Sequence, residues 1–260
     1  MKTRGGTVKV MTLVFKSLAS SYKQKKTKHM KTNGNTILIT GGSAGIGFEL
    51  AKQLSERGNK VLITGRNEEK LKQAAARLEN VIPLAGDVTD TQSVDQLVSF
   101  IQSEYPEVNM LINNAGYADT YQLKAGVDAF SKARREIDTN YLSIVALTEK
   151  LLPVLLSNPD AAVANVTSIV AYFPQNSVPT YSASKAALKA YTDVLRNTLG
   201  DQLHVFELIP PLVNTEFSKE IRGESGIPPQ EVAHELLLAI ENDQYQVPVG
   251  MSKEYVKITA

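Results

Sequence analysis

Hydrophobic positions along this chain follow two rhythms that take turns. Seven short runs are built around apolar, often β-branched residues: "NTILIT" (35–40), "NKVLITG" (59–65), "VIPLAGDV" (81–88), "VNMLINNAG" (108–116), "AAVANVTS" (161–168), "HVFELIPP" (204–211) and "YQVPVG" (245–250). Longer segments between them carry apolar residues at helical spacing: 46–58, closed by Gly58, then 67–80, 91–106, about 131–156, the segment around Tyr181, and 228–243. The acids of 67–80 come early, where they complement a helix dipole. Strands that are apolar throughout are buried on both faces, and strands that alternate with helices pair in parallel. The pattern predicts an α/β fold of Rossmann type: a doubly wound parallel sheet of about seven strands, with helices on both faces. Such a sheet binds ligands beyond the carboxyl ends of its strands. No second core or internal linker breaks the pattern, and 211–227 reads as its most mobile loop.

Composition fits one globular domain with a tail. The chain has 260 residues, 43% hydrophobic and 21% charged. It has no Cys, which excludes disulfides and thiolate metal sites and permits a reducing, cytoplasmic setting. Its three His, at 29, 204 and 234, are too scattered for a metal cluster, so no metal is expected. No apolar run reaches the roughly 20 residues of a bilayer span, so stable membrane insertion is not expected. The net charge of +1 hides an asymmetry: residues 1–31 hold nine Lys/Arg and no acid, leaving 19 basic against 27 acidic groups, or −8, in the rest. So acidic a body argues against nucleic acid as its main partner. The basic leader has three readings: a contact for anionic lipid or nucleic acid, a targeting peptide, or sequence upstream of a working start at Met30. Its "MTLVF" is too short for a secretory core. The expected division is a disordered extension over 1–31 and one domain over 32–260.

"TGGSAGIG" (40–47) joins the first strand to the first helix. Glycine there lets the backbone turn tightly and approach a pyrophosphate, which the helix N-terminus favours. Gly41, Gly45 and Gly47 are spaced differently from the commoner G-x-G-x-x-G. Ser43 adds a hydroxyl, and Ala44 and Ile46 fall inside the turn. The bland alternative is a plain glycine turn. At the end of the second strand the chain reads Thr64-Gly65-Arg66-Asn67, with no acid for the ribose hydroxyls of NAD. Arg66 can pair with a 2′-phosphate that a carboxylate would repel. The expected cofactor is NADP(H), with NAD(H) possible; otherwise Arg66 is a solvated strand-end residue.

Tyr stands four places before Lys twice, at Tyr22/Lys26 and Tyr181/Lys185, and with ten Tyr and twenty Lys one chance match is unremarkable. Order along the chain separates the two. "TGGSAGIG", Asp87, "NNAG" (113–116), Asn140, Ser168, Tyr181/Lys185 and "PPLVNT" (210–215) follow one another, and from about residue 34 to 250 the chain resembles the short-chain dehydrogenase/reductases. "MKTNGNTILITGGSAGIG" and "IPPLVNTEFSKEIR" look like a bacterial subgroup named for the lipoteichoic-acid D-alanylation locus. The resemblance implies that Tyr181 is the general acid in carbonyl reduction and the base in reverse. Lys185, one helical turn on, would lower the phenol's pKa from about 10 and hold the nicotinamide ribose. Ser168 would bind the substrate oxygen, and Asn140 would order a water beside the lysine. Asp87 and Val88 would meet the adenine. Asn113 would support the sheet, while Asn114, Ala115 and Gly116 line the cofactor's path. Pro210, Val213 and Thr215 would face the nicotinamide carboxamide, although Pro211 replaces the family's usual Gly and removes an N–H.

Pocket walls are expected from 117–126, 169–178 and 211–227, with Tyr117, Tyr172, Phe173, Leu212, Phe217 and Ile221 as apolar lining. No basic cluster marks a phosphate or carboxylate, so the expected substrate is an uncharged or weakly polar carbonyl or alcohol. The alternatives are a non-catalytic dinucleotide-binding scaffold, a membrane-surface protein recruited by the leader, and a sugar-nucleotide epimerase. The last needs a larger C-terminal domain than the 45 residues after Thr215. By resemblance, the helices near 131–157 and 181–200 would join a homodimer or homotetramer.

Overall fold

A computed structural model describes residues 30–259; the Tyr22/Lys26 pair lies outside the described residues. Seven strands form the sheet: β1 (Thr36–Thr40), β2 (Lys60–Gly65), β3 (Val81–Ala85), β4 (Val108–Asn113), β5 (Ala162–Val166), β6 (His204–Ile209) and β7 (Gln246–Pro248). All pair in parallel, in the order β3-β2-β1-β4-β5-β6-β7. The helices among the described residues are α1 (Gly45–Glu56), α2 (Glu68–Ala75), α3 (Thr91–Glu104), α4 (Ala129–Ile137), α5 (Ser143–Ser157), α6 (Pro179–Leu199), α7 (Pro229–Glu241) and α8 (Ser252–Thr259).

The period of two along each strand explains the uninterrupted apolar runs. Ile37, Ile39, Val61, Ile63, Met110 and Phe206 point into one layer, against Leu54 of α1, Leu71 of α2 and Leu236 of α7. The residues between them, Leu38, Leu62, Leu111 and Val205, point into the other, against Ile101 of α3, Leu151 of α5 and Leu195 of α6. Each such side chain contributes about 2 kcal/mol by leaving water. This double core holds the strand ends in place, and strand order reverses between β1 and β4, where such sheets open a crevice. Met30 is buried in the first layer. A buried polar chain fixes α5 and α6 to the sheet: Asn113 Nδ2 donates to Asn165 Oδ1 (2.8 Å) and Thr148 Oγ1 (3.2 Å), and Asn165 Nδ2 to Thr192 Oγ1 (2.9 Å).

Four elements differ from the sequence expectation. The helix expected over 67–80 stops at Ala75, and Asn80, at φ 55°, turns the chain into β3. The long helix expected from about 131 is two helices joined by one π turn over Asp138–Leu142, whose extra residue brings Asn140 fully inside. The 211–227 loop is ordered into two 3₁₀ turns, Glu216–Ile221 and Gly223–Ser225, and a Val213–Ile227 bridge. Helix α8 was not expected: over 252–258 only Ser252 and Val256 are buried, too weak an apolar stripe to register. Among the described residues no helix is long and apolar enough to cross a membrane, and no group of three or more His, Cys, Asp or Glu could hold a metal.

Candidate active site

The glycine turn owes its shape to close backbone approach. Gly41 (φ +67°) and Gly45 (φ +55°) occupy conformations that side chains rarely adopt. A Cβ on Gly47 would collide with the Gly41 carbonyl. Gly47 is therefore buried and seats α1 against the turn; it does not line the crevice as a direct cofactor contact would. Just past β4, Asn114 Nδ2 donates to Thr40 O (2.9 Å) and Gly41 O (3.1 Å), while Thr40 Oγ1 accepts both the Asn114 and Ala115 N–H (3.0 Å each). "NNAG" thus staples the turn in place. No side chain caps α1 and no acid lies in its first turn, and Ala44, Gly45 and Ile46 line the cavity in front of it. Unpaired N–H groups at a positive helix end suit a pyrophosphate.

Two adjoining cavities, of about 590 and 620 Å³, share Gly41, Ala115 and Gly116. The second contains Ser43, Arg66, Asp87 and Val88, with Lys70 and Arg135 adding positive charge. A side chain at Gly65 would meet nothing closer than Leu71 at 3.8 Å. Packing therefore does not exclude the acid that is missing there. The first cavity brings together Asn114, Ser168, Tyr181, Lys185, Pro210, Val213 and Thr215. With the turn, these fit a dinucleotide running from Arg66 to Tyr181.

Ser168 follows β5 by two residues and caps the 3₁₀ turn over Ile169–Ala171, its Oγ accepting the Val170 N–H at 3.3 Å. Pro179 opens α6, the helix whose first turns carry Tyr181 and Lys185 on one face. The ammonium lies 5.8 Å from the Tyr181 ring centre, and Nζ donates to Val166 O at 2.8 Å. Burial dominates both groups. It pushes the Tyr181 phenol well above its ordinary range, an effect the hydrogen-bonded Ser168 hydroxyl opposes and the Glu136 charge reinforces. It pushes Lys185 down to about 7. The expected lowering of the phenol by the lysine is thus overridden here, because both groups are desolvated and Nζ is engaged with a carbonyl. Asn140 stands close to the lysine, since a side chain on Gly116 would meet Asn140 Oδ1 at 3.4 Å and Lys185 Nζ at 3.9 Å; its Oδ1 accepts the Tyr117 N–H (2.8 Å), and Nδ2 donates to Tyr117 O (2.7 Å) and Ser184 Oγ (2.9 Å). With both amide hydrogens spent, it braces the segment after β4 against α6 and does not line the cavity.

Beyond Tyr181 the lining of the first cavity is largely apolar. Phe173, Val178, Leu212, Phe217 and Ile221 line it, as do Met251 and Tyr255 of the C-terminal segment. Phe217 lies 6.0 Å from the Tyr181 ring, and Phe173 lies 5.0 Å from Tyr255. Met251 and Tyr255 were missed in the sequence, where their four-residue spacing after Gly250 was the only signal. Tyr172, expected in this wall, turns away: its hydroxyl donates to Glu207 Oε2 (2.8 Å) and accepts from Gln246 Nε2 (2.9 Å). Tyr117 lies in the other cavity, 5.5 Å from the Arg135 guanidinium. Pro211 lines the cavity with a trans peptide, and the loop keeps its backbone bonds through Ile227 N to Leu212 O (3.0 Å) and Asn214 N to Ile227 O (2.8 Å). Lys185 and Glu216 are the charged side chains of the lining, and the Glu216 side chain is 79% exposed.

Comparison with known proteins agrees with this geometry. A family model described as short chain dehydrogenase matches residues 35–226. The uncharacterized oxidoreductase DltE of Bacillus subtilis (strain 168) is 40% identical over 199 residues, covering 76% of this chain and 79% of that protein. An NADP-dependent 3-hydroxy acid dehydrogenase of Schizosaccharomyces pombe is 30% identical over 237 residues, covering 81% and 88%. The crystal structure of a short chain dehydrogenase from Burkholderia cenocepacia J2315 in complex with NADP superimposes with a TM-score of 0.79, at 29% identity, over 88% of this chain and 93% of that one.

Proposed function

The chain belongs to the short chain dehydrogenase family of oxidoreductases, and we propose that it is an NADP(H)-dependent enzyme that reduces uncharged carbonyl compounds, or oxidises the matching alcohols, with Tyr181 as general acid and base. The observation that carries this reading is the meeting of Ser168, Tyr181 and Lys185 with the uncapped start of α1 in one crevice. Gly41, Ser43, Ala44, Gly45 and Ile46 would hold the pyrophosphate, Arg66 a 2′-phosphate, and Asp87 and Val88 the adenine. Ala115, Gly116, Lys185, Pro210, Val213 and Thr215 would flank the nicotinamide half. The bound dinucleotide supplies or accepts the hydride. Ser168 donates to the carbonyl oxygen and holds it beside Tyr181, whose O–H bond breaks as its proton passes to that oxygen. A phenol raised by burial keeps this proton at neutral pH, ready for reduction; oxidation needs the phenolate and so gains as pH rises. Lys185 sits behind the phenol, and its positive charge, present below about pH 7, would favour that phenolate only in that range.

Support for the substrate class is the lining itself. The Schizosaccharomyces pombe relative is named for an acid, but Lys185 is the sole cation in the lining of this cavity, and it is turned to Val166. The preference for NADP(H) rests on Arg66 beside a vacant Gly65. Fluorescence titration should show Arg66→Ala binding NADPH about 10- to 100-fold more weakly, with NADH little changed. Similar wild-type affinities for the two would overturn the preference. We also read the working domain as running from Met30, which packs into the first core layer, rather than from residue 32, with a basic extension before it and a reducing cytoplasmic setting. A homodimer or homotetramer through α5 and α6 is supported by Leu156 and Val194, apolar yet 39% and 61% exposed.

A further inference from the structure

Glu136, in the last turn of α4, is a fully buried carboxyl that this chemistry leaves unused. Its Oε1 accepts the Asp119 N–H at 2.8 Å, and the Thr180 hydroxyl stands beside the carboxyl, yet Oε2 has no hydrogen-bond partner. Thr180 shares a 2.6 Å hydrogen bond with the Tyr121 hydroxyl, and Tyr121 N donates to Ser177 O at 2.9 Å. The carboxyl therefore sits in a knot that joins the segment after β4, α4 and the first turn of α6, beside the residue that precedes Tyr181. A buried, half-paired carboxyl is expensive, and an amide or an apolar side chain would fill the same space at less cost. Its charge calls for another reason.

We propose that Glu136 is a positioning residue for the reaction: a buried carboxylate that clasps the 117–121 segment to the start of α6 and opposes loss of the Tyr181 proton. This rests on the reading of Tyr181 as the acid. The charged groups that face Glu136 are Asp119 and Lys132. Asp119 is itself held by Lys132 (3.4 Å) and Arg135 (3.0 Å), which leaves the Glu136 charge poorly offset. Ser168 and Lys185 stand on the other sides of Tyr181. Burial raises the Glu136 carboxyl above its ordinary range, which begins roughly six units below that of a phenol.

The test is the pH profile of kcat/KM for one carbonyl and alcohol pair, measured in both directions with wild type, Glu136→Gln, Tyr181→Phe and the exposed Glu104→Gln as control. Glutamine keeps the acceptor for Asp119 N–H and removes the charge. The rising limb of oxidation and the falling limb of reduction should then move together to lower pH by about half a unit, a rise of about threefold in oxidation at fixed pH on the limb. Glu104→Gln should move neither. A merely structural role would change KM or thermal stability and leave the limbs in place. If Glu136→Gln proves too unstable, Glu136→Met, of similar length and without charge, carries the same expected displacement. Limbs that superimpose on wild type while Tyr181→Phe is inactive would overturn the role of Glu136 alone. Turnover undiminished in Tyr181→Phe would overturn the catalytic reading instead.

Discussion

Tyr181→Phe should lower kcat about 1,000-fold, some 4 kcal/mol of barrier, while NADPH still binds with near wild-type affinity. The substitution removes one oxygen and nothing else: the ring keeps its neighbour Phe217 at 6.0 Å and its place in α6. On this reading Ser168 would still reach the substrate oxygen, but its hydroxyl is a poor acid, and no other phenol lines this cavity except Tyr255, against Phe173. The proton must then come from water, which an apolar lining admits poorly. Single-turnover measurements against equilibrium cofactor binding separate the two quantities. A large loss of NADPH affinity with little loss of rate would make Tyr181 a binding residue.

Lys185→Met should cost about 100-fold in kcat and weaken cofactor binding, yet leave the protein as stable as wild type or more so. The stability half follows from burial. In the folded chain Lys185 loses its proton near pH 7, whereas in the unfolded chain it keeps it to about 10.4. Between those values the unfolded state binds the extra proton, so wild-type stability rises with pH across that window, and its deficit is full below pH 7. The variant lacks this slope. Thermal unfolding of both proteins between pH 6 and 10 should show the gap largest at the acid end. A pH-independent gap would mean that the ammonium is better solvated than its 3% exposure and single Val166 carbonyl suggest.

Sheet, layers and the run of site positions were legible because they depend on period and order. "NTILIT" is apolar on alternate faces whichever helix covers it, and "TGGSAGIG" must turn wherever it stands. What escaped depends on direction. Tyr172 and Phe173 are neighbours in sequence, yet the 3₁₀ turn over Ile169–Ala171 sends one to Glu207 and the other to the cavity. Gly47 follows the motif's spacing, but its role is to admit α1 against Gly41 O rather than a ligand. Asn140 sits in the π turn, which no apolar periodicity marks, so its bonds to Tyr117 and Ser184 could not be foreseen. Glu136 lies two residues before that turn and reads in sequence as a surface acid of a charged helix, "AFSKARREI"; only packing of α4 on α6 buries it.

Deuterium transfer tests the central claim most directly. Purified protein, a panel of uncharged aldehydes and ketones, and NADPH labelled at the nicotinamide C4 should yield an alcohol with the label on its carbinol carbon, together with oxidised cofactor in equal amount. Tyr181→Phe should slow that transfer about 1,000-fold. Tight binding of NADPH with no label reaching any member of the panel would contradict the account and leave a protein that holds the dinucleotide without using it.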